Sequence, residues 1–325
     1  ARILSVVPNE HHGLLLTAGL AVVLAVACKT ALVPFQQWLI GTIEAPTPLS
    51  ALLHAGVVNA GGFLVICLSP LFAQAPVALT VLMLVGLASA LIGPLAMWAQ
   101  TDLKRSLAWS TVGQMGFMIV QCGIGAYGAA FLHLVGHGCY KADAFLRSGT
   151  LSRAVEARPV ALAIGPSLGL FALGVAVAGA VLALTYHLLG VSPQHLHGGL
   201  TLLAIQALAL GQMVATPTAG GAALPLRLLV LVPAGAIYAS LTWGIETLLS
   251  GHVTAAPALS DRGLVGAVLA MAVPMLLALL AGFWVLLPRL SGHARIAAWR
   301  VHAGNGFYLP HLAERVVRSC RPRSL

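Results

Sequence analysis

The sequence predicts an all-α integral membrane protein of about nine transmembrane helices, some of them broken. Of 325 residues, 59% are hydrophobic and only 8% are charged, whereas a soluble domain carries roughly a quarter of its residues as Asp, Glu, Lys and Arg. Apolar runs near the ~20 residues that cross a ~30 Å hydrocarbon core recur along the whole chain. No soluble domain of ordinary size can be cut from it.

In order, the candidate spans are 13–33, 48–70, 76–99, 105–123, 127–147, 160–189, 199–214, 224–250 and 263–288. Residues 1–288 therefore read as the membrane domain, and 289–325 as a basic C-terminal tail. Lys and Arg near span ends favour the cytoplasmic side. With the tail and its seven arginines placed there, alternation puts Lys104, Arg105, Arg147, Arg153, Arg158 and Arg227 on that side too. Arg2 and Arg262 fall opposite. The asymmetry supports nine spans and a cytoplasmic C-terminus.

Lys and Arg outnumber Asp and Glu 17 to 8. The basic residues are neither interleaved with aromatics nor gathered on one polar face, so nucleic acid is not an expected partner. Cys28, Cys67, Cys122, Cys139 and Cys320 have no CxxC pairing or metal-ligand spacing and read as small reduced apolar residues.

Several spans hold residues that a plain anchor does not need. Lys29 lies in the first, with Pro34 close behind it, and Gly93-Pro94 and Pro274 interrupt others. A proline at membrane depth leaves a backbone group for neighbours or water to satisfy, and broken helices there line polar cavities. Pro274 has no charged neighbour and reads as ordinary.

The segment HLVGHGCYKADAFLRSG carries His133, His137 and Lys141 at four-residue spacing. On a helix the three lie about 40° apart in turn, a stripe rising ~12 Å. Histidine exchanges protons near neutral pH, its ordinary pKa being ~6.5, and lysine can join it when desolvated. The bland reading has the histidines bonded to neighbouring backbone and Lys141 reaching the surface. Ionisable groups inside spans are costly and mark ion paths, which favours a proton relay. A metal site is the weaker reading, because the segment lacks the Glu of H-E-x-x-H and a third ligand. Asp143 and Cys139 sit off the stripe.

Other ionisable residues extend the pattern: Lys29, His54 near the start of the second span, and Lys104 opening the fourth. Glu44 falls in a Pro-rich interfacial turn, and Glu246 late in the eighth span reads as interfacial. His187, His195, His197 and His252 lie near span ends or in loops and read as surface groups.

The segments KTALVPFQQWLIGTIEAPTPLSALLHAG, QTDLKRSLAWSTVGQMGFM and AAFLHLVGHGCYKADAFLRSG resemble the antiporter-like, proton-conducting membrane subunits. These are shared by respiratory complex I (its subunit L), membrane-bound hydrogenases and multisubunit cation/proton antiporters. The resemblance covers Lys29 to Gly149. It implies two inverted five-helix repeats, each holding half a proton path, with a lysine at a broken helix and histidines beside it. Carried over by position, the path residues are Lys29, His54, Lys104, His133, His137 and Lys141, with no cofactor and no resident metal.

Within that family, HAGVVNAGGFLVICLSPLF, GQMGFMIVQCG and RVHAGNGFYLPHLAERVV look most like the DabB branch, membrane subunits of two-part inorganic-carbon accumulation systems. The resemblance implies a cytoplasmic, zinc-containing partner of the DabA type and a role in energising bicarbonate accumulation in the cell membrane. The alternative within the family is a subunit of complex I, of a hydrogenase or of an Mrp-type antiporter. A reading of another class, a non-conducting scaffold, accounts for the basic tail but not for six ionisable groups at membrane depth. Two departures stand out. The chain begins at what corresponds to the family's seventh helix, so about six further spans, one bearing the glutamate that partners Lys29, are expected upstream. No lysine follows Lys141, which leaves the second half-path without its usual group.

Overall fold

The computed structural model describes residues 12–151, 167–191, 198–215, 224–290, 292–309 and 315. Arg2, Arg153, Arg158, His195, His197, Cys320 and the tail arginines beyond Arg315 lie outside the described residues. Each of the nine expected spans holds a helix. The first is α1 (His12–Lys29), followed by the short α2 (Gln37–Ile40). The second span is divided between α3 (Thr47–Ala55) and α4 (Ala60–Cys67), which α5 (Ser69–Gln74) follows. The rest are α6 (Pro76–Ala99), α7 (Leu103–Gly123), α8 (Tyr127–Leu151), α9 (Leu168–Leu188), α10 (Gly199–Ala215), α11 (Leu224–Leu249) and α12 (Gly263–Leu290). A final helix, α13 (Ala294–Gly304), occupies the start of the basic tail.

Among the described residues, Thr47–Cys67, Pro76–Ala99, Leu168–Leu188, Leu224–Leu249 and Ser260–Leu290 are long and apolar enough to cross a membrane, and Gly13–Lys29 and Gly199–Ala215 are shorter apolar helices. The remaining two, α7 with 21 residues and α8 with 25, have the length but are more polar. They carry the residues of the candidate site, and neighbouring helices cover much of their polar surface.

Of the interruptions read in the sequence, the one behind Lys29 is a break and the one at Gly93-Pro94 is not. α6 runs unbroken through Pro94, and α12 through Pro274 and Pro288. One missing N–H per proline is tolerated where the rest of the helix and its neighbours hold the geometry. The chain breaks after Lys29, as the sequence places it, and also at Gly56, where the helical turn loosens into a 3-10 segment, Val57–Asn59. Asn59 ties this break to α8, its Nδ2 donating to the Ala55 carbonyl at 2.6 Å and the Leu134 carbonyl at 3.4 Å. At the first break, Trp38 Nε1 donates to the Cys28 carbonyl at 2.8 Å, satisfying one orphan acceptor of the α1 terminus.

Asp102 caps α7, its carboxylate accepting from the Arg105 backbone N–H at 2.9 Å. α6 and α7 form the closest helix pair. A Cβ on Gly93 would stand 2.4 Å from the Gly113 nitrogen, and one on Gly116 would stand 2.4 Å from the Ala90 nitrogen. Without a hydrophobic drive between helices in lipid, such small-residue contacts hold them together through van der Waals packing. The first core gathers α1, α4, α6, α7 and α8 around Val26, Leu79, Met115 and Ile119. A second joins α9, α10 and α11 around Leu182, Tyr186 and Leu231.

Candidate functional site

The cluster sits where α3, α7 and α8 meet. His54 reaches it from the last turn of α3, just before the break at Gly56, and is 1% exposed. Its ring stacks on Phe145 of α8, with centroids 4.3 Å apart. Its Nδ1 lies 3.1 Å from Thr111 Oγ1 on α7. Thr111 donates its hydroxyl hydrogen to the Leu107 carbonyl at 3.0 Å, so in this arrangement His54 is the donor from Nδ1. The same carbonyl accepts from Lys141 Nζ at 2.9 Å. Lys141 is completely buried, and one carbonyl oxygen thus joins it to the Thr111–His54 pair.

His137 and His133 continue the line along α8. Their ring centroids are 6.0 Å apart and their planes inclined by 27°, and residues four apart lie on one helix face. His137 is 6% exposed and neither ring nitrogen has a protein hydrogen-bond partner. It lies within electrostatic reach of His133, Lys141 and His54. Both histidines border a cavity of about 510 Å³ between α8 and α11. Buried polar groups are satisfied by protein or by ordered water, and water entering this space would satisfy His137. The arrangement can pass protons between titratable side chains through intervening water, while the Thr111 hydroxyl and the Leu107 carbonyl hold His54 and Lys141 in place.

Of the six residues singled out in the sequence, His54, His133, His137 and Lys141 come together. Lys104 opens the same helix, α7, and its Nζ donates to the carbonyls of Ala45 at 3.1 Å and Ile43 at 3.4 Å. It binds the turn ahead of α3 and stands one turn from Leu107. Lys29 is the last residue of α1 and exposed, so it lies outside the buried cluster. Asp143 pairs with Arg147 at 2.7 Å on the exposed side of α8. Cys139, Glu44, His187 and His252 are exposed as well, and Glu246 is half-buried. No group of three His, Cys, Asp or Glu among the described residues is arranged to hold a metal ion.

Thr111, the Leu107 carbonyl and Phe145 went unnoticed in the sequence. Thr111 had a signal: Lys104, Thr111, Gln114 and Gln121 recur at intervals of seven, three and seven, which places them along one stripe of α7.

Residues 3–165 match the transmembrane family of NADH:quinone oxidoreductases and Mrp antiporters. Over 324 residues the chain is 36% identical to the probable inorganic carbon transporter subunit DabB2 of Halothiobacillus neapolitanus, covering 95% of this chain and 56% of that one. It is 50% identical over 131 residues to the probable inorganic carbon transporter subunit DabB of Bacillus subtilis, covering 40% of this chain and 26% of the relative. It is 40% identical over 153 residues to NADH-quinone oxidoreductase subunit L of Mycobacterium tuberculosis, covering 46% and 24%. The chain spans little more than half the length of the first relative and about a quarter of the other two.

Proposed function

Because the chain belongs to the NADH:quinone oxidoreductase/Mrp antiporter transmembrane family, we propose that it translocates protons as a multi-pass membrane subunit and energises inorganic-carbon accumulation. The observation that carries this reading is the buried series His54, Thr111, the Leu107 carbonyl and Lys141, continued by His137 and His133. An unpaired buried cation or histidine is costly at membrane depth, and the series has a use for that cost only if protons move along it.

The subunit itself does no bond-making chemistry in this reading. Lys141 and the histidines each bind a proton and release it to the next group, while Thr111 holds the His54 ring and the helix break at Gly56 brings that ring to α7. The substrate supplied by the coupled reaction is carbon dioxide or bicarbonate, handled by a zinc-containing cytoplasmic partner of the DabA type. The subunit lies in the cell inner membrane with its C-terminus cytoplasmic, which turns α13 and the tail arginines toward that partner and anionic lipid headgroups. Carbon rather than respiration is favoured because the likeness to DabB2 of Halothiobacillus neapolitanus runs over 95% of the chain, whereas the likeness to subunit L covers 46%.

The test is complementation. Cells lacking carbonic anhydrase, given the full gene product and its zinc-protein partner, should grow in ordinary air, and growth should fail when a protonophore collapses the gradient. Growth restored by neither protein together, with instead an NADH-dependent proton flux in membranes, would assign the chain to a respiratory assembly.

A further inference from the structure

With 11 residues, about 16 Å, α13 is too short to cross a membrane. It packs against the end of α6. Gln100 Nε2 donates to the Gly304 carbonyl at 3.2 Å and so ties the end of one helix to the end of the other. Between α13, α6 and α12 lies a cavity of about 390 Å³, walled by Leu95 and Trp98 of α6, Leu280 and Phe283 of α12, and Ile296 and Trp299 of α13. Trp98 meets Phe283 edge to face, with centroids 6.4 Å apart. The wall continues to Leu91 on α6 and Leu276 on α12, each seven residues before the aromatic ring. The cavity therefore reaches about 10 Å along both helices from the α13 end.

Every side chain in this wall is apolar or aromatic. A buried water needs two or more polar partners, so the space suits hydrocarbon instead. Its mouth has the opposite character. Ile296, Trp299 and Ala303 make the stripe of α13 that faces the cavity, and Arg295 and Arg300 flank that stripe on either side, each about 70° from its centre. The Arg300 guanidinium lies over the Trp98 ring, 5.9 Å from the centroid, a cation–π contact that keeps the charge beside the opening. Arg289 stands in the last turn of α12. All three arginines are exposed, and the sequence has no Asp or Glu from Gly263 to Ala313. Asp102, just beyond α6, is taken up in capping α7. Gly306, Phe307 and Tyr308 all adopt left-handed backbone, with φ of 59°, 53° and 59°, which is costly for the two aromatic residues. That turn brings Phe307 back into the cavity wall, 6.3 Å from Trp299.

We propose that this cavity holds one acyl chain of an anionic phospholipid from the surrounding membrane, with the lipid phosphate bound by Arg295 and Arg300 at the mouth. Tryptophan and arginine at the end of membrane helices belong at headgroup level, where a basic side chain is drawn to an anionic leaflet. A docking protein segment would have to supply both an apolar group for the cavity and an acid for the arginines. An anionic phospholipid carries the two in one molecule. The proposal requires only that α6 and α12 cross the membrane, and it stands whether or not protons move along the ladder.

The experiment is photolabelling of the full-length protein in membranes that contain phosphatidylglycerol or phosphatidylcholine, each with a diazirine on one acyl chain and at equal mole fraction. Peptide mapping reads the label on residues 91–98 and 276–283. Phosphatidylglycerol should label them at least about tenfold more than phosphatidylcholine, since each arginine contributes about fivefold. Arg295→Gln with Arg300→Gln, two exposed positions whose exchange leaves the helix intact, should bring phosphatidylglycerol down to the phosphatidylcholine level. Leu280→Trp fills the cavity and should abolish label on both stretches while other lipid-facing peptides stay labelled, which also shows that the variant is inserted. Equal labelling by the two lipids, or labelling that survives the arginine exchange, overturns the proposal. So does unchanged label in Leu280→Trp. Absence of label from both stretches in the parent means that protein covers the cavity in the full-length chain, and overturns it as well.

Discussion

Lys141 Nζ and Thr111 Oγ1 donate to one and the same acceptor, the Leu107 carbonyl, at 2.9 and 3.0 Å. The shared oxygen lies on α7, Lys141 comes from α8, and through Thr111 the connection reaches His54 on α3. Three helices thus meet at a backbone atom that no substitution can remove. The consequences are best tested on the side chains around it.

Lys141→Arg keeps the positive charge but cannot give up a proton inside a protein. It should lose proton flux at least about tenfold, as should Lys141→Met, while both still insert in the membrane. An active arginine variant would mean that a fixed charge at this position is sufficient.

Thr111→Val removes the acceptor that His54 Nδ1 uses and leaves a buried donor unmet, at a cost of about 1–3 kcal/mol. Thr111→Ser retains the hydroxyl. Proton flux and the melting temperature in detergent should fall for the valine variant and stay near the parent for the serine one. Equal behaviour of the two variants would remove Thr111 from the path.

The helices were legible because lipid leaves a chain few choices: among the described residues each of the nine apolar runs holds a helix, the second in two pieces. The ladder was legible for the same reason, since His133, His137 and Lys141 are costly in an apolar run and their spacing alone aligns them. The breaks were legible only in part, since Lys29 with Pro34 behind it marks one of them. Pro94 looks like an interruption in sequence, yet packing carries the helix through, while the break at Gly56 is marked by nothing stronger than Gly-Val-Val-Asn. Thr111 was missed because a neutral hydroxyl is unremarkable in a helix until its partners on other helices are known.

Gly93→Ala should destabilise the protein by about 1–3 kcal/mol, since its new methyl group would meet the Gly113 backbone and overpack the α6–α7 contact. Gly244→Ala is the matched control. It lies within α11 with nothing inside 4 Å of the added carbon, so the helix should gain about 0.5–1 kcal/mol. Thermal unfolding in detergent checks both, and a Gly93 variant as stable as the parent would contradict the tight α6–α7 packing.

Lys29 differs from Lys141 in being exposed at the end of α1. Its replacement should therefore cost little stability. Both Lys29→Met and Lys29→Arg should nonetheless lose flux at least about tenfold if this residue hands on a proton. Full flux in the arginine variant would leave Lys29 only the role of a positive charge at a helix terminus.

His137 is the most exacting case, because the ladder depends on its spacing. His133 and Lys141 lie eight residues apart, ~12 Å along α8, and His137 is the midpoint. Removing its ring enlarges a space already beside a cavity of about 510 Å³, so water can fill the gap, but a water molecule is a poor place to hold a proton near neutral pH. His137→Ala should accordingly lower flux about a hundredfold with insertion intact. His137→Gln separates the two properties of the ring. Glutamine keeps a donor and an acceptor at that height in the bundle yet does not titrate between pH 5 and 8. If proton binding at His137 is required, glutamine should be as silent as alanine; flux near the parent in the glutamine variant would show that the residue orders water and never carries the proton itself.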